Sequence, residues 1–181
     1  PSTTSTYLPL FAFIDASRHW NSRGGGHQPP LGYGVCRPTG EVTPAFHVTT
    51  DPASPWPVWD KVKRYDGFQW KGYSLDAKRS PSFRYTWNEA EIIESFTGSG
   101  DGNKADGSPA LVRTVQISGK VPENAWYRLA TGRVTAQGES FFVEEGGTKL
   151  RVTCPGARLA GSNLVVTAQP GTLTIRYEWV P

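Results

Sequence analysis

The sequence predicts an all-β fold, an antiparallel β-sandwich of jelly-roll-like or related type with minor helix. In residues 68–96, apolar and polar side chains alternate and a compact polar turn divides the run, as is typical of β-hairpins. The segment from Leu173 to Trp179 alternates in the same way near the end of the chain. No segment sustains the apolar period of 3.6 residues that an amphipathic helix requires.

The first part of the chain is rich in residues that interrupt regular structure. Residues 1–6, PSTTST, are small and polar, so we expect a linker-like leader followed by one β-sandwich domain over residues 7–181. The apolar run from Leu8 to Ile14 predicts a buried strand. The glycines and prolines that follow it predict long loops and short β pieces.

The hairpin region and the C-terminal half supply the remaining strands. Phe83, Tyr85 and Trp87 share one face of a strand and should point into the core. Further strands are predicted at Leu111–Ile117, Trp126–Ala130, Phe141–Glu144, Leu150–Cys154 and Leu164–Ala168, with a tight turn at Gly146 and Gly147. Many short antiparallel strands of this kind predict a sandwich or barrel.

Composition argues against two classes of partner. The net charge is +3, and the 19 lysines and arginines are spread along the chain rather than gathered in a stripe, which does not favour nucleic acid binding. No window approaches 18 consecutive apolar residues, so no membrane-spanning helix is predicted. The first residues lack the basic region of a signal peptide, and we expect any such signal to have been removed.

The two cysteines, Cys36 and Cys154, have no cysteine or histidine at zinc-ligand spacing. We predict a disulfide between them. It would close a loop of 118 positions, and such a loop contributes about 4–5 kcal/mol in the chain-entropy model. A disulfide would also imply secretion. The alternative is two separate buried thiols.

A series of pattern words resembles a known type of domain. FQWKGYSLDAKRSPSFRYTW, EIIESF, LVRTVQIS, AWYRLATG and TIRYEW follow one another in the order seen in a β domain of large secreted bacterial mosaic proteins. Those proteins join c-type cytochrome modules to sorbosone- or glucose-dehydrogenase-like propellers that use pyrroloquinoline quinone. The resemblance covers roughly Trp59 to Trp179 and carries over no catalytic residue.

The resemblance implies a periplasmic or extracellular accessory domain. This chain has no C-x-x-C-H motif for covalent haem and is too short for a propeller. We therefore expect no cofactor in this chain, with haem c or pyrroloquinoline quinone held by neighbouring domains or partners.

Two features have some resemblance to metal sites. His27 follows three glycines and could be an axial ligand of haem, although an ordinary surface histidine is the preferred interpretation. Asp101, Asn103 and Asp106 lie in one glycine-rich loop and could hold calcium. Residues 107–109 follow where a bidentate acid is usual, so a solvated turn is preferred.

The chain is rich in aromatic residues, which can stack on the apolar faces of sugars. Trp56 and Trp59 lie in the proline-rich PWPVW segment and Trp20 in another loop, so these three are the candidate exposed platforms for a polysaccharide. For Trp56 and Trp59 the preferred interpretation is that both indoles cap one end of the sandwich.

Other aromatic and acidic residues are predicted to be structural. A core position is favoured over a ligand platform for the strand tryptophans Trp70, Trp87 and Trp179. Solvated strand charges are expected at Glu89, Glu91, Glu94, Glu144 and Glu145. The sequence has no G-x-S-x-G elbow, so nucleophilic hydrolysis has no positive support.

These observations predict a non-catalytic accessory domain. It would dock a neighbouring redox domain or protein subunit of a secreted complex through flat strand faces and proline-rich loops. A carbohydrate-binding module is the first alternative and an enzyme of unknown type the second. Exposed indoles would favour the carbohydrate-binding alternative, and burial of every tryptophan would count against it.

Overall fold

The computed structural model describes residues 45–57, 67–78, 80–99, 110–145 and 148–180. These residues contain twelve β-strands and no helix. In chain order the strands are β1 (Phe46–Val48), β2 (Phe68–Leu75), β3 (Pro81–Trp87), β4 (Ala90–Ser99), β5 (Ala110–Gly119), β6 (Ala125–Thr131), β7 (Arg133–Gln137), β8 (Ser140–Glu145), β9 (Thr148–Thr153), β10 (Arg158–Ala160), β11 (Asn163–Thr167) and β12 (Gly171–Val180).

The strands form two antiparallel sheets. The smaller has four strands in the order β1-β6-β11-β10, and the larger has eight in the order β2-β3-β4-β5-β12-β9-β8-β7. Side chains from both sheets belong to one core, which includes the fully buried Ile92, Val115 and Ile175 of the large sheet and Leu129 and Leu164 of the small one. Burial of each such side chain contributes roughly 1.5–3 kcal/mol. The predicted β-sandwich is confirmed.

The predicted strands from the hairpin region onward are also confirmed, with boundaries within two residues. Tyr85 and Trp87 are buried as predicted, and Phe83 is half-buried against the core. Sequence patterns did not indicate β7 or β10, because these strands are short and largely exposed and show no apolar alternation. The predicted strand at 8–14, the leader boundary and the turn at 146–147 lie outside the described residues.

A buried polar cluster joins the two sheets. Arg113 on β5 donates from Nη2 and Nε to Oε2 of Glu94 on β4, at 2.6 and 3.1 Å. Oε1 of Glu94 accepts hydrogen bonds from Tyr85 on β3 and, at 3.3 Å, from Tyr127 on β6 of the opposite sheet. The side chains of Arg113 and Glu94 are only 2% and 8% exposed. The prediction that Glu94 is a solvated strand charge is therefore wrong.

The protonation of this cluster follows from its surroundings. Burial, reinforced by the negative charge of Glu94, raises the pKa of Tyr85 and Tyr127 well above the ordinary value, so both hydroxyls remain hydrogen-bond donors. Burial alone would lower the pKa of Arg113, but the charge of Glu94 outweighs it and the net shift is upward. The cluster is thus a charged pair satisfied by tyrosine hydroxyls, and it connects three strands of the large sheet with the small one.

A candidate binding site on the edge hairpin

A row of apolar side chains lies on β2, the strand at one edge of the large sheet. The antiparallel register pairs Phe68, Trp70, Tyr73 and Leu75 with Trp87, Tyr85, Phe83 and Pro81 of β3. Directly paired residues project to the same side of a sheet, so the β2 row shares the face on which Tyr85 and Trp87 enter the core. We call Phe68, Trp70, Tyr73 and Leu75 the aromatic strip.

Three members of the aromatic strip are largely exposed although they lie on the core-facing side of the sheet. The exposed fraction is 54% for Trp70, 67% for Tyr73 and 50% for Leu75. Phe68 is half-buried and packs against the core. The strip therefore extends the apolar inner face of the sheet to a region where it contacts solvent.

A β-bulge aligns the members of the strip. The register shifts between Trp70 and Gly72, which leaves Lys71 as an extra residue without a partner on β3. In a regular strand, side chains three positions apart point to opposite faces. The extra residue returns Tyr73 to the face of Trp70. Gly72 has a φ of +117°, a backbone conformation that residues with a side chain rarely adopt.

The strip is anchored to the core by ring contacts. The ring centroids of Phe68 and Tyr85 are 4.8 Å apart, and those of Trp70 and Phe83 are 6.0 Å apart. Phe83 in turn meets Phe96 edge-on at 5.9 Å. These contacts hold Phe68 and Trp70 against the packed core, so the orientation of the Trp70 ring is restricted before any ligand arrives.

Polar groups of the hairpin lie on the face opposite the strip and at the turn. Gln69 pairs with Thr86, and Arg84 alternates with the core-facing residues of β3, so both project away from the strip. Lys71 Nζ donates to Gln69 Oε1 at 2.6 Å, and Arg84 Nε lies 3.5 Å from Glu91 Oε1. At the end of the hairpin, Asp76 Oδ1 closes the turn by accepting the backbone N–H groups of Lys78 and Ser80, each at 2.8 Å.

The tryptophans differ in exposure. Trp56 is not an exposed platform, because only 6% of it is exposed, and its burial matches the preferred interpretation. Its Nε1 donates to the carbonyl of Pro52 at 3.3 Å, and the Arg128 guanidinium lies 4.4 Å from its ring centroid. Asn163 joins this arrangement by donating to the same carbonyl and accepting from Arg128, both at 3.3 Å.

His47 lies beside this buried indole. Its ring centroid is 5.3 Å from that of Trp56. Burial and the positive charge of Arg128 lower the pKa of His47. The segment after β1 is therefore packed against the small sheet and does not present Trp56 to solvent.

Trp70 departs from its prediction. A core position was favoured for it, and its exposure shows that this is wrong. The core position predicted for Trp87 is confirmed, at 8% exposure. Trp20, Trp59 and the side chain of Trp179 lie outside the described part of the chain.

Cys154 is a buried free thiol, so the predicted disulfide with Cys36 is not formed in this structure. Its Sγ approaches the carbonyl of Pro155 at 3.7 Å. Burial raises the pKa of Cys154 to about 11, which keeps the thiol protonated at neutral pH. Cys36 itself lies outside the described residues. For Cys154, the alternative of a separate buried thiol matches the structure.

The remaining candidates are partly covered by the structure. His27, Asp101, Asn103 and Asp106 lie outside the described residues. Within residues 45–57, 67–78, 80–99, 110–145 and 148–180, no group of three or more His, Cys, Asp or Glu side chains is placed to hold a metal ion. The solvated charges predicted at Glu89, Glu91 and Glu144 are confirmed, with exposed fractions of 72%, 50% and 43%.

No protein-family model, curated protein or solved structure matches this chain. Among the described residues, no helix is long and apolar enough to cross a membrane. The aromatic strip is therefore considered on its own geometry. Sequence reasoning missed Tyr73 and Leu75, and the glycine after Lys71 was the available signal that the strand alternation changes there.

Proposed function

We propose that this domain is a non-catalytic binding module that holds a polysaccharide through the aromatic strip. The observation that carries the proposal is the joint exposure of Trp70 and Tyr73 on one face of one strand. Aromatic faces stack on the apolar faces of sugar rings. A binding role also agrees with an interior that is filled by core side chains.

The shape of the strip supports an extended ligand. The strip is one side chain wide and runs along the eight residues of β2, or about 26 Å of strand. A standard protein interface needs about 800 Å² from each partner, arranged as a broad patch. A single row of rings fits a linear polymer better than it fits a globular surface.

The edge of β2 is a poor alternative binding mode. No described strand pairs with the outer side of β2. The bulge at Lys71 interrupts the regular spacing of backbone groups, and bulges and lysines on edge strands discourage pairing with another strand. The face of the strip, rather than the edge of the strand, is the surface that the proposal uses.

Docking of a redox domain is the second candidate. It is supported by the resemblance to the β domain of cytochrome- and quinone-containing mosaic proteins. The exposed Leu75 at the end of the strip also favours it, because sugars need few purely aliphatic contacts. In either case the domain would be an accessory of a larger secreted protein, with haem c or pyrroloquinoline quinone carried elsewhere.

Retention on a panel of insoluble polysaccharides tests the proposal. The wild-type chain should be retained on at least one polymer, and Trp70→Ala and Tyr73→Ala should each weaken binding by about tenfold, because each removes a stacking surface worth roughly 1–2 kcal/mol. The matched control is Leu159→Ala, which removes an exposed apolar side chain from β10 of the other sheet.

The controls decide between the two candidates. Equal retention of the wild type and Trp70→Ala would contradict binding through the strip. Absence of retention on every polymer would reject the polysaccharide proposal, and docking of a redox domain would then become the hypothesis to test.

A further inference from the structure

The small sheet stops one strand short of the aromatic strip. Among the described strands, its last member on this side is β1, which has β6 as its single neighbour. Phe46 of β1 stacks on Trp87 of β3 with 4.8 Å between ring centroids, and it meets the Tyr85 ring at 6.4 Å. β1 therefore covers β3, and β2 is the next strand outward in the large sheet. A segment placed beside the outer edge of β1 would lie over the strip.

The strip has the character of a covered face. Trp70, Tyr73 and Leu75 continue the side on which the large sheet meets the small one, whereas Gln69 and Arg84 project to the other side. Apolar side chains on one face and polar ones on the other are typical of a strand that another layer covers. The rings that can stack on a sugar can therefore also receive an apolar segment of protein.

The chain itself contains a segment of suitable composition. Residues 8–14, LPLFAFI, are all apolar and include two leucines, two phenylalanines and an isoleucine. They belong to residues 1–44, which precede the described part of the chain. We call residues 8–14 the apolar run. Exposure of such a run to water is unfavourable, so it gains free energy wherever it can bury its side chains.

The point where the chain enters the fold places the apolar run within reach of the strip. Ala45 is the first described residue, and the next residue, Phe46, packs on Trp87, the register partner of Phe68 in the strip. Residues 15–44, thirty in number, separate the run from Ala45. Thirty residues can span up to about 100 Å, and the strip is about 26 Å long. A contact within one chain also has the high effective concentration that tethering supplies.

A second copy of the protein is a poorer occupant of the strip. A standard protein interface takes about 800 Å² from each partner, and the strip offers one row of side chains. The apolar run has seven residues and β2 has eight, so the run matches the strip in length as well as in polarity.

We infer that the apolar run occupies the aromatic strip until a polysaccharide displaces it. The run lies beside the outer edge of β1 and covers Trp70 and Tyr73, so its side chains and the sugar faces compete for the same rings. The apparent affinity for a polymer falls in proportion to the fraction of molecules whose strip is free. This competition rests on the proposed function, whereas the contact between the run and the strip can be tested without it.

Photo-crosslinking of the full chain tests the contact directly. With p-benzoylphenylalanine in place of Tyr73, irradiation should join this position to residues 8–14 of the same chain, identified by mass spectrometry of the digested monomer. The matched control places the photoreactive residue at Leu159, an exposed apolar position on β10 of the other sheet. This control should give no adduct with the apolar run.

Substitutions in the apolar run test the competition. Leu10 and Phe11 are adjacent, so the double variant Leu10→Asp/Phe11→Asp sets a carboxylate against the strip whichever side of the run meets it. It should reduce the adduct of position 73 at least about fivefold and tighten binding to amorphous cellulose or chitin by about twofold to tenfold. The double variant Ser5→Asp/Thr6→Asp adds the same charge outside the run and should change neither.

The crosslinking results separate this inference from the proposed function. Absence of an adduct with residues 8–14, or an equal adduct from position 159, would overturn the inference and leave the polysaccharide proposal in place. Adducts between two chains would assign the strip to a second copy and also overturn the inference. The intrachain adduct in a protein that no polymer retains would support the contact and reject the proposed function together with the competition.

Two results of the Leu10→Asp/Phe11→Asp variant would overturn displacement of the run. One is loss of the adduct without any gain in polymer binding, because the run would then not compete with the ligand. The other is a fall of the urea midpoint by more than about 1 M, which would show that the run is a permanent part of the core.

Discussion

The centre and the edge of the large sheet use the same face in opposite ways. At the centre, the charged side chains of Glu94 and Arg113 are buried between the sheets. At the edge, Trp70 and Tyr73 project from the same face and are more than half exposed. Coverage by the opposite sheet, rather than the polarity of the side chain, separates the two regions. Among the described residues, no strand of the small sheet lies over this edge, which is the part of the face that the proposed function uses.

The largest expected effect concerns the buried pair at the centre. Glu94→Gln keeps the shape of the side chain but leaves Arg113 as a buried charge without a counter-charge. We expect the free energy of unfolding to fall by about 3–5 kcal/mol, measured by urea denaturation. Glu89→Gln removes an acid from an exposed pair with Lys120 and should cost no more than about 1 kcal/mol. Equal losses would contradict burial of the central pair.

The buried pair was within reach of sequence reasoning. Ile92, Glu94 and Phe96 occupy alternate positions of β4, and Leu111, Arg113 and Val115 do so on β5. An acid and a base at core positions of neighbouring strands predict a buried ion pair, because neither charge is stable there alone. The predicted exposure of Glu89, Glu91 and Glu144 is confirmed.

The aromatic strip was harder to predict from the sequence. Regular alternation places Trp70 and Tyr73 on opposite faces, and only the bulge at Lys71 brings them together. Which strand lies at the edge of a sheet depends on pairings between distant residues, and sequence periodicity carries no information about those. Periodicity therefore indicated the face of Trp70 but not the absence of a covering sheet.

The two tryptophans Trp56 and Trp70 provide the second comparison between covered and uncovered regions. Trp56→Ala should lower the free energy of unfolding by about 3 kcal/mol, because it removes a buried indole that packs on Arg128. Trp70→Ala should lower it by less than about 1 kcal/mol, because most of its indole already contacts water.

Thermal or urea unfolding of the two variants measures this difference, with Leu159→Ala as an exposed control. Polymer retention should show the opposite order. Trp70→Ala should lose retention and Trp56→Ala should keep it, provided that Trp56→Ala is assayed at a temperature where it remains folded. A large loss of stability in Trp70→Ala would mean that the strip belongs to the core and is not free for a ligand.

The substitution Gly72→Ala should cost less stability than Glu94→Gln or Trp56→Ala, and it tests the alignment of the strip. No atom lies within 4 Å of a Cβ added at this position, so the strain in Gly72→Ala would come from the backbone φ of +117° alone. We expect a loss of about 1–2 kcal/mol in urea unfolding.

If the strain moves the bulge, Tyr73 and Leu75 rotate away from the face of Trp70, and polymer binding falls much more than stability does. The exposed Gly98, whose φ is not in the positive range, is the control, and Gly98→Ala should leave binding unchanged. Full binding by a destabilised Gly72→Ala would show that a ligand needs Trp70 without the aligned Tyr73.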